Sequence, residues 1–124
     1  MRTPLSQAEA RELLQPKRNK YNVAPKEQRT YGGRTYDSKA EMVYAQQLDV
    51  WKQAGAVKEW FPQVPFILHA PSGEKIGSYV ADFRVNWADG SVTWVDVKGL
   101  MTPLSRWKIR HCESEYSVKI QIVK

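Results

Sequence analysis

Residues 79–100 read YVADFRVNWADGSVTWVDVKGL, and they decide the fold because they contain two strand patterns separated by a turn signal. Apolar and polar side chains alternate over 79–87, and a second short apolar run follows over 92–98. Asp89-Gly90 lies between them, and glycine accepts the positive φ that tight hairpin turns require. The stretch therefore predicts an antiparallel β-hairpin.

The charged side chains of this hairpin are predicted to share one face. Successive side chains of a strand point to opposite faces, so Val95 and Val97 share one face while Asp96 and Lys98 share the other. Asp82 points away from the apolar face of the first strand, and it joins Asp96 and Lys98 if both apolar faces pack on the same side. We therefore expect two carboxylates and one ammonium on adjacent strands.

Two carboxylates a few ångströms apart repel each other unless a proton or a cation lies between them. Clusters of oxygen ligands favour hard cations such as Mg²⁺ or Mn²⁺. The other interpretation is a structural ion pair between Asp96 and Lys98 on a partly solvated sheet.

A third carboxylate lies in a helix predicted over residues 38–54, with Gly55 as its C-terminal cap. Glu41 falls on the apolar stripe of this helix, where a carboxylate requires an explanation. Two interpretations remain. Ser38-x-x-Glu41 fits a capping box, in which Glu41 bonds to a backbone amide. Alternatively, the start of the helix delivers the Glu41 carboxylate to the pair on the sheet.

The rest of the chain predicts one α/β domain preceded by a basic arm. Residues 1–28 form the arm, with a short helix over 6–14, and residues 29–124 form the domain. The other predicted elements are a hairpin around Gly32-Gly33, two short edge strands within 58–68, a basic helix over 103–114 and a last strand over 118–123. We expect a mixed sheet of about five strands flanked by the 38–54 and 103–114 helices.

Composition favours a polyanionic partner. The 124 residues carry a net charge of +6, and the first 40 contain nine Lys or Arg against four Asp or Glu. A solvated basic tail is the other interpretation of this bias. No amphipathic stripe accompanies it, and no run is long enough to span a bilayer or to act as a secretory signal. The single cysteine permits no intrachain disulfide, so we expect no membrane association and a cytoplasmic location.

Three carboxylates and a lysine in the order E…D…(D/E)xK resemble the PD-(D/E)XK nuclease superfamily. The resemblance is carried by YDSKAEMVYAQQL (36–48), YVADFRV (79–85) and VDVKG (95–99), and it extends over residues 21–124. Together these strings are similar to a phage-borne endonuclease family related to the archaeal-type Holliday junction resolvases. Ala81 stands where the superfamily name has proline, and Asp96 where many members have glutamate, which leaves the substrate open.

The resemblance implies a restriction-endonuclease-like core and a Mg²⁺-dependent DNA endonuclease, with Mn²⁺ as a substitute ion. Asp82 and Asp96 would hold the metal, and the Val97 carbonyl and Glu41 would complete the site. Lys98 would lie beside the attacking water and stabilise phosphate charge. The implied catalytic residues are Glu41, Asp82, Asp96 and Lys98.

DNA contacts are expected from basic and polar residues outside this cluster. The arm, the region near Glu41 and the 103–114 helix would contribute them, although a solvated face is the other interpretation for that helix. The expected residues are Lys17, Arg18, Lys20, Arg34, Ser38, Lys39, Arg106 and Lys108.

The preferred function is a Holliday junction resolvase, with branched DNA in the form of a four-way junction as substrate. Symmetric cutting of a junction requires two active sites and implies a homodimer, for which Trp60-Phe61 is either an interface or part of the core. A phage-encoded enzyme would act in the host cytoplasm. The alternatives are another nicking or recombination endonuclease, or a catalytically inactive DNA-binding module on the nuclease fold.

Overall fold

The computed structural model of the protein describes residues 23–124. The predicted helix over 6–14 and the arm residues Lys17, Arg18 and Lys20 lie outside the described residues and stay predictions. The elements are a 3-10 helix (Lys26–Arg29), β1 (Thr30–Tyr31), β2 (Arg34–Thr35), α1 (Lys39–Gln53), β3 (Val57–His69), β4 (Lys75–Trp87), β5 (Val92–Val97), α2 (Pro103–Tyr116) and β6 (Ile120–Val123).

The central sheet has the strand order β3–β4–β5–β6. β4 is antiparallel to both of its neighbours, whereas β6 is parallel to β5. β1 and β2 form a separate antiparallel hairpin through Gly32-Gly33, both of which have positive φ. The α/β class, the mixed sheet and the predicted hairpins are therefore confirmed.

The expectation of a fifth strand is wrong for the described residues, because the sheet has four strands. Residues 58–68 were predicted as two short strands, but β3 continues through Pro62 and Pro65 as one strand of 13 residues. Proline cannot donate a ladder hydrogen bond, yet an edge strand tolerates it because one side of the strand has no neighbour. β3 is one of the two edge strands of the described sheet, and β6 is the other.

Both predicted helices form, and each begins at a side-chain cap. The Ser38 hydroxyl accepts a hydrogen bond from the Glu41 N–H at 3.1 Å, and Thr102 caps α2 in the same way. α1 ends before Gly55, whose φ of 86° terminates the helix. Among the described residues, no helix is long and apolar enough to cross a membrane.

The buried side chains form two hydrophobic clusters, and β4 contributes to both. Tyr79 and Ala81 pack with residues of α2, whereas Phe83 and Val85 pack with residues of α1 and β5. The alternate residues that the sequence predicted as apolar are the buried ones, but they divide between two clusters instead of packing as one face. The change of cluster occurs at Asp82, between the two pairs.

The change coincides with an irregularity in the β3–β4 ladder. Pro62 pairs with Phe83 and Val64 pairs with Ala81, but the ladder contains no pair between Gln63 and Asp82. Gln63 has a φ of 55°, a conformation that costs a non-glycine residue about 1–3 kcal/mol. The strained residue thus lies across from a predicted site residue.

Asp49 connects the β1–β2 hairpin to the core. Its two carboxylate oxygens accept hydrogen bonds from Tyr31 Oη at 2.5 Å and Trp60 Nε1 at 2.9 Å. The Trp60 ring packs on the hydrophobic cluster that contains Phe83 and residues of α1, and it lies 5.8 Å from the ring of Phe83. Trp60 therefore belongs to the core, whereas Phe61 is 41% exposed. The homodimer stays a prediction.

Replacing Asp49 with Ala should lower the free energy of unfolding by about 2 kcal/mol, because two donors lose a charged acceptor. Urea unfolding followed by tryptophan fluorescence measures the change. Gln46→Ala is the matched control, since Gln46 is exposed on the same helix and should cost less than about 0.5 kcal/mol. Equal stability of the two variants would show that the Asp49 hydrogen bonds contribute no net stability.

Candidate metal and phosphate site

The carboxyl groups of Glu41, Asp82 and Asp96 lie close enough to influence one another's ionisation. The antiparallel register pairs Phe83 with Val95, so Asp82 and Asp96 are neighbours on adjacent strands. α1 packs over the same strands through one hydrophobic cluster, which brings its first turn to this pair. The structure thus brings together the three carboxylates that the sequence predicted.

Asp96 is the most deeply buried of the three, with 2% of its surface exposed. Its Oδ2 accepts a hydrogen bond from Tyr79 Oη at 2.5 Å, and its Oδ1 lies 3.5 Å from Lys98 Nζ. Lys98 itself is half-buried and follows the last residue of β5. The predicted proximity of Asp96 and Lys98 is therefore confirmed, and each Asp96 oxygen has its own neighbour.

Tyr79 is a site residue that the sequence analysis missed. The alternation of β4 placed it on the apolar face, away from the aspartates. The change of packing near Asp82 instead lets the Tyr79 hydroxyl reach Asp96. Burial, followed by the hydrogen bond to Asp96, raises the pKa of the Tyr79 hydroxyl. A buried tyrosine hydroxyl usually needs a polar partner, and that rule was the available signal.

Asp82 is oriented by the backbone of the next strand. Its Oδ2 accepts a hydrogen bond from the Val97 N–H at 2.8 Å. Burial and then the charge of Glu41 raise the pKa of Asp82 above its ordinary value, while the Val97 hydrogen bond opposes this rise. The carboxylate is thus held in place but is costly to ionise.

Glu41 combines both interpretations of its sequence position. Its backbone N–H is capped by Ser38, as in the first half of a capping box. Its side chain is only 6% exposed, however, and Oε2 is buried without a hydrogen-bond partner among the described residues. Burial, followed by the charge of Asp37, raises the pKa of Glu41. Capping therefore does not account for the Glu41 carboxylate.

The chemistry of these groups suits a hard divalent cation. All available side-chain ligands are carboxylate oxygens, and a cation between them would remove the repulsion that raises the pKa values of Glu41 and Asp82. The buried Glu41 Oε2 has a free coordination position for it. Mg²⁺ or Mn²⁺ therefore fits the donor set.

The side chains do not yet converge on a single point. Over residues 23–124, no group of three or more His, Cys, Asp or Glu side chains is arranged to hold a metal ion. Carboxylates that repel one another are expected to stay apart until a cation draws them together. Binding would therefore require small side-chain movements.

A shallow cavity of about 470 Å³ opens beside the site, between α1 and the ends of β5 and β6. It is bordered by Lys39 and Lys124, and Val97 forms part of its wall. The side chain of Lys39, one of the predicted DNA contacts, is exposed here. The cavity thus brings the positive charge of two lysines to Val97, the residue whose N–H binds Asp82.

The other predicted DNA contacts are more dispersed. Arg34 is exposed on β2, and Ser38 serves as the cap of α1. Arg106 is exposed on α2, whereas Lys108 is half-buried on the same helix. Their roles in binding stay predictions.

The model of one protein family, described as "Protein of unknown function (DUF1064)", matches residues 18–124. The match covers the whole described fold and both strands that carry the aspartates. No curated protein and no solved structure matches the chain significantly.

The metal-free protein should become more stable when Asp82 is replaced with Asn. From about pH 4 upward the unfolded chain loses the Asp82 proton while the folded chain retains it, so stability falls as pH rises toward the raised folded-state pKa. Asparagine removes this loss and can still accept the Val97 hydrogen bond. In EDTA we expect Asp82→Asn to raise Tm by about 5 °C or more at pH 8, with little difference at pH 4.

Asp89→Asn is the control, because it makes the same chemical change in the exposed turn of the same hairpin. Hydrogen bonds from Ser91 lower the pKa of Asp89, so its contribution to stability is present above its ordinary pKa and is lost in acid. Asp89→Asn should therefore not stabilise the protein at pH 8. A Tm of Asp82→Asn below that of the wild type at pH 8 would contradict the argument from carboxylate crowding.

Proposed function

The chain belongs to the DUF1064 family, and we propose that it is a Mg²⁺-dependent endonuclease that hydrolyses phosphodiester bonds in DNA. One observation carries the proposal: Glu41, Asp82 and Asp96 come from three different elements and meet near the ammonium of Lys98. Burying ionisable groups is costly, and such groups are concentrated at functional sites, so the proximity of these three carboxyl groups supports a functional site. The order of these residues also matches the PD-(D/E)XK pattern, and a core of that type is part of the proposal.

The carboxylates would hold the metal. Asp82 and Asp96 are its main ligands in this proposal, with Glu41 and the Val97 carbonyl completing the set. When bound, the ion supplies positive charge to the phosphate under attack. The Val97 N–H already fixes one oxygen of Asp82, which limits the orientations that this carboxylate can adopt.

Two further side chains prepare the site for a phosphate. Lys98 Nζ, 3.5 Å from Asp96, can donate a hydrogen bond to a water molecule and stabilise negative charge on the phosphate. Tyr79 occupies the other oxygen of Asp96 and so acts as a positioning residue. One Asp96 oxygen is thus fixed by Tyr79, and the other faces Lys98.

DNA is the proposed substrate because the surroundings of the site are basic. The chain carries a net charge of +6, and Lys39 and Lys124 border the cavity that reaches Val97. The likeness to junction-resolving enzymes favours a four-way junction, cut by a homodimer in the host cytoplasm. Two symmetric cuts require two copies of the site, which is why the proposal includes a second chain.

A catalytically inactive DNA-binding module is the second candidate. It is favoured by the observation that the described carboxylates are not already arranged around one metal position. Such a module would bind junctions equally well with and without Mg²⁺ and would cut nothing. The same experiment tests both candidates.

Replacing Asp96 with Asn should reduce cleavage by at least about 100-fold and leave junction binding intact. Asparagine can still accept the Tyr79 hydrogen bond but lacks the charge that a metal and Lys98 require. Labelled junction, duplex, flap and single strand are incubated with Mg²⁺ and with EDTA, and products are mapped on a gel. Mg²⁺ should also raise the Tm of the wild type but not that of Asp96→Asn.

Asp89→Asn should cut like the wild type, since Asp89 lies in an exposed turn. Near-normal Mg²⁺-dependent cutting by Asp96→Asn would rule out this strand as the metal site. Absence of cutting by the wild type on every substrate, with tight junction binding, would instead support the inactive module.

Replacing Glu41 with Gln separates the helix cap from the metal ligand. The Ser38 hydroxyl accepts from the Glu41 backbone N–H, so the cap survives the change. Because burial raises the pKa of the Glu41 carboxyl, its removal should leave the Tm of the metal-free protein unchanged or higher at pH 8. Cleavage should nevertheless be lost, because the amide removes a metal-neutralising charge. Glu59→Gln on the exposed side of β3 is the matched control and should stay active. Full activity of Glu41→Gln would show that the Glu41 carboxylate is not a metal ligand.

A further inference from the structure

An exposed aromatic surface lies on α2, outside both hydrophobic clusters. Trp107 is 48% exposed, and its ring lies 5.2 Å from the ring of His111 at an interplanar angle of 33°. The two rings line a groove of about 470 Å³ together with Pro103, Arg106 and Arg110. We call these five residues the Trp107 groove.

The Trp107 groove is not needed to hold α2 on the sheet. The buried residues of this helix are Ile109 and Cys112, which pack with β3, β4 and β6. Trp107 belongs to neither cluster, although tryptophan is usually buried where a core can take it. An exposed tryptophan beside a groove therefore indicates a ligand rather than a packing role.

The His111 ring is held in place, so the aromatic surface is preorganised. His111 Nε2 lies 2.9 Å from the His69 carbonyl oxygen and 3.3 Å from Glu115 Oε1. These contacts fix the orientation of the His111 ring, against which the Trp107 ring packs. A flat ligand would meet a surface that is already ordered, which lowers the entropic cost of binding.

The Trp107 groove carries two positive charges, on Arg106 and Arg110. Neither arginine takes part in the ion pairs that the described residues form. Of the acidic residues of the same helix, Glu113 accepts from the Ile120 N–H, and Glu115 contacts His69 and the groove residue His111 but neither arginine. Arg106 and Arg110 are therefore available to an anionic ligand.

We propose that the Trp107 groove binds an unpaired segment of single-stranded DNA, with a base stacked on Trp107 and flanking phosphates on Arg106 and Arg110. Aromatic rings flanked by cations are the usual means by which proteins hold single strands without reading sequence. A base in an intact duplex has both faces covered by its neighbours, so the groove selects unpaired nucleotides. Lys108, half-buried on the same helix, is a weaker candidate for phosphate contact than the two arginines.

The groove lies within reach of a strand that enters the carboxylate site. From Lys98 to Pro103 the chain advances five residues, which span at most about 18 Å when fully extended. Trp107 lies one helical turn further, about 6 Å along α2. The two places therefore lie at most about 24 Å apart, close enough for one DNA strand to span in this proposal, in which the groove favours substrates with unpaired nucleotides beside the cut.

The inference rests on the proposed function in that both assign DNA as the ligand, but binding can be measured without cleavage. Fluorescence anisotropy in EDTA gives the affinity for a labelled single strand, a duplex of the same length and an abasic single strand. The variants are Trp107→Ala and Trp107→Phe, with Leu104→Ala as control because Leu104 is 61% exposed on the same helix but does not line the groove.

Trp107→Ala should weaken single-strand binding by about 5- to 150-fold, Trp107→Phe should retain most of the affinity, and Leu104→Ala should match the wild type. The abasic strand should bind all four proteins alike. Removing either arginine should lower the slope of log K against log salt by about 0.7 for the single strand.

Equal binding of the single strand by wild type and Trp107→Ala would overturn the inference, as would an equal loss on the abasic strand. A wild type that binds no single strand would also overturn it. Loss of binding in Trp107→Ala together with no Mg²⁺-dependent cutting by the wild type would leave the groove in place and refute the nuclease proposal alone.

Discussion

The pairing of Phe83 with Val95 is the constraint on which the candidate site depends. Side chains alternate along a strand, so a slip of one residue in this register would move every side chain of β5 to the other side of the sheet. Asp96 would then leave Tyr79 and Asp82, and Val95 would leave the cluster under α1. The apolar side chains that pack on α1 therefore also determine where the carboxylates meet. Core packing and site geometry are consequences of one ladder.

The same ladder places charge where it is unfavourable for folding. Burial and mutual repulsion raise the pKa values of Glu41 and Asp82, so the folded state loses stability as pH rises from the ordinary carboxyl pKa toward these raised values. The hydrogen bond from the Val97 N–H offsets part of this cost at Asp82 without removing it. A bound cation would attract each carboxylate and so outweigh the repulsion among them. We therefore expect metal binding at this site to stabilise the folded protein.

Much of this arrangement could be predicted from the sequence because it follows local periodicities. The alternation over 79–98 identified the hairpin, and a carboxylate on an apolar stripe identified Glu41. The contact of Tyr79 with Asp96 could not be predicted, because alternation describes a straight strand. β4 instead changes its packing next to the strained Gln63. The continuity of β3 through its two prolines could not be predicted either. Proline interrupts a strand that has neighbours on both sides but not one at an edge, and the sequence does not give the strand order.

The two prolines of β3 have a further consequence for how the protein behaves at high concentration. A strand of 13 residues at the edge of a sheet is a template for the addition of another strand, and such addition leads to aggregation. Pro62 and Pro65 interrupt its row of N–H donors, so an added strand could not form a continuous ladder along it. The two prolines therefore disfavour edge-to-edge polymerisation along β3. A second copy of the chain that approaches this edge of the sheet would have to associate through side chains rather than by a continuous ladder.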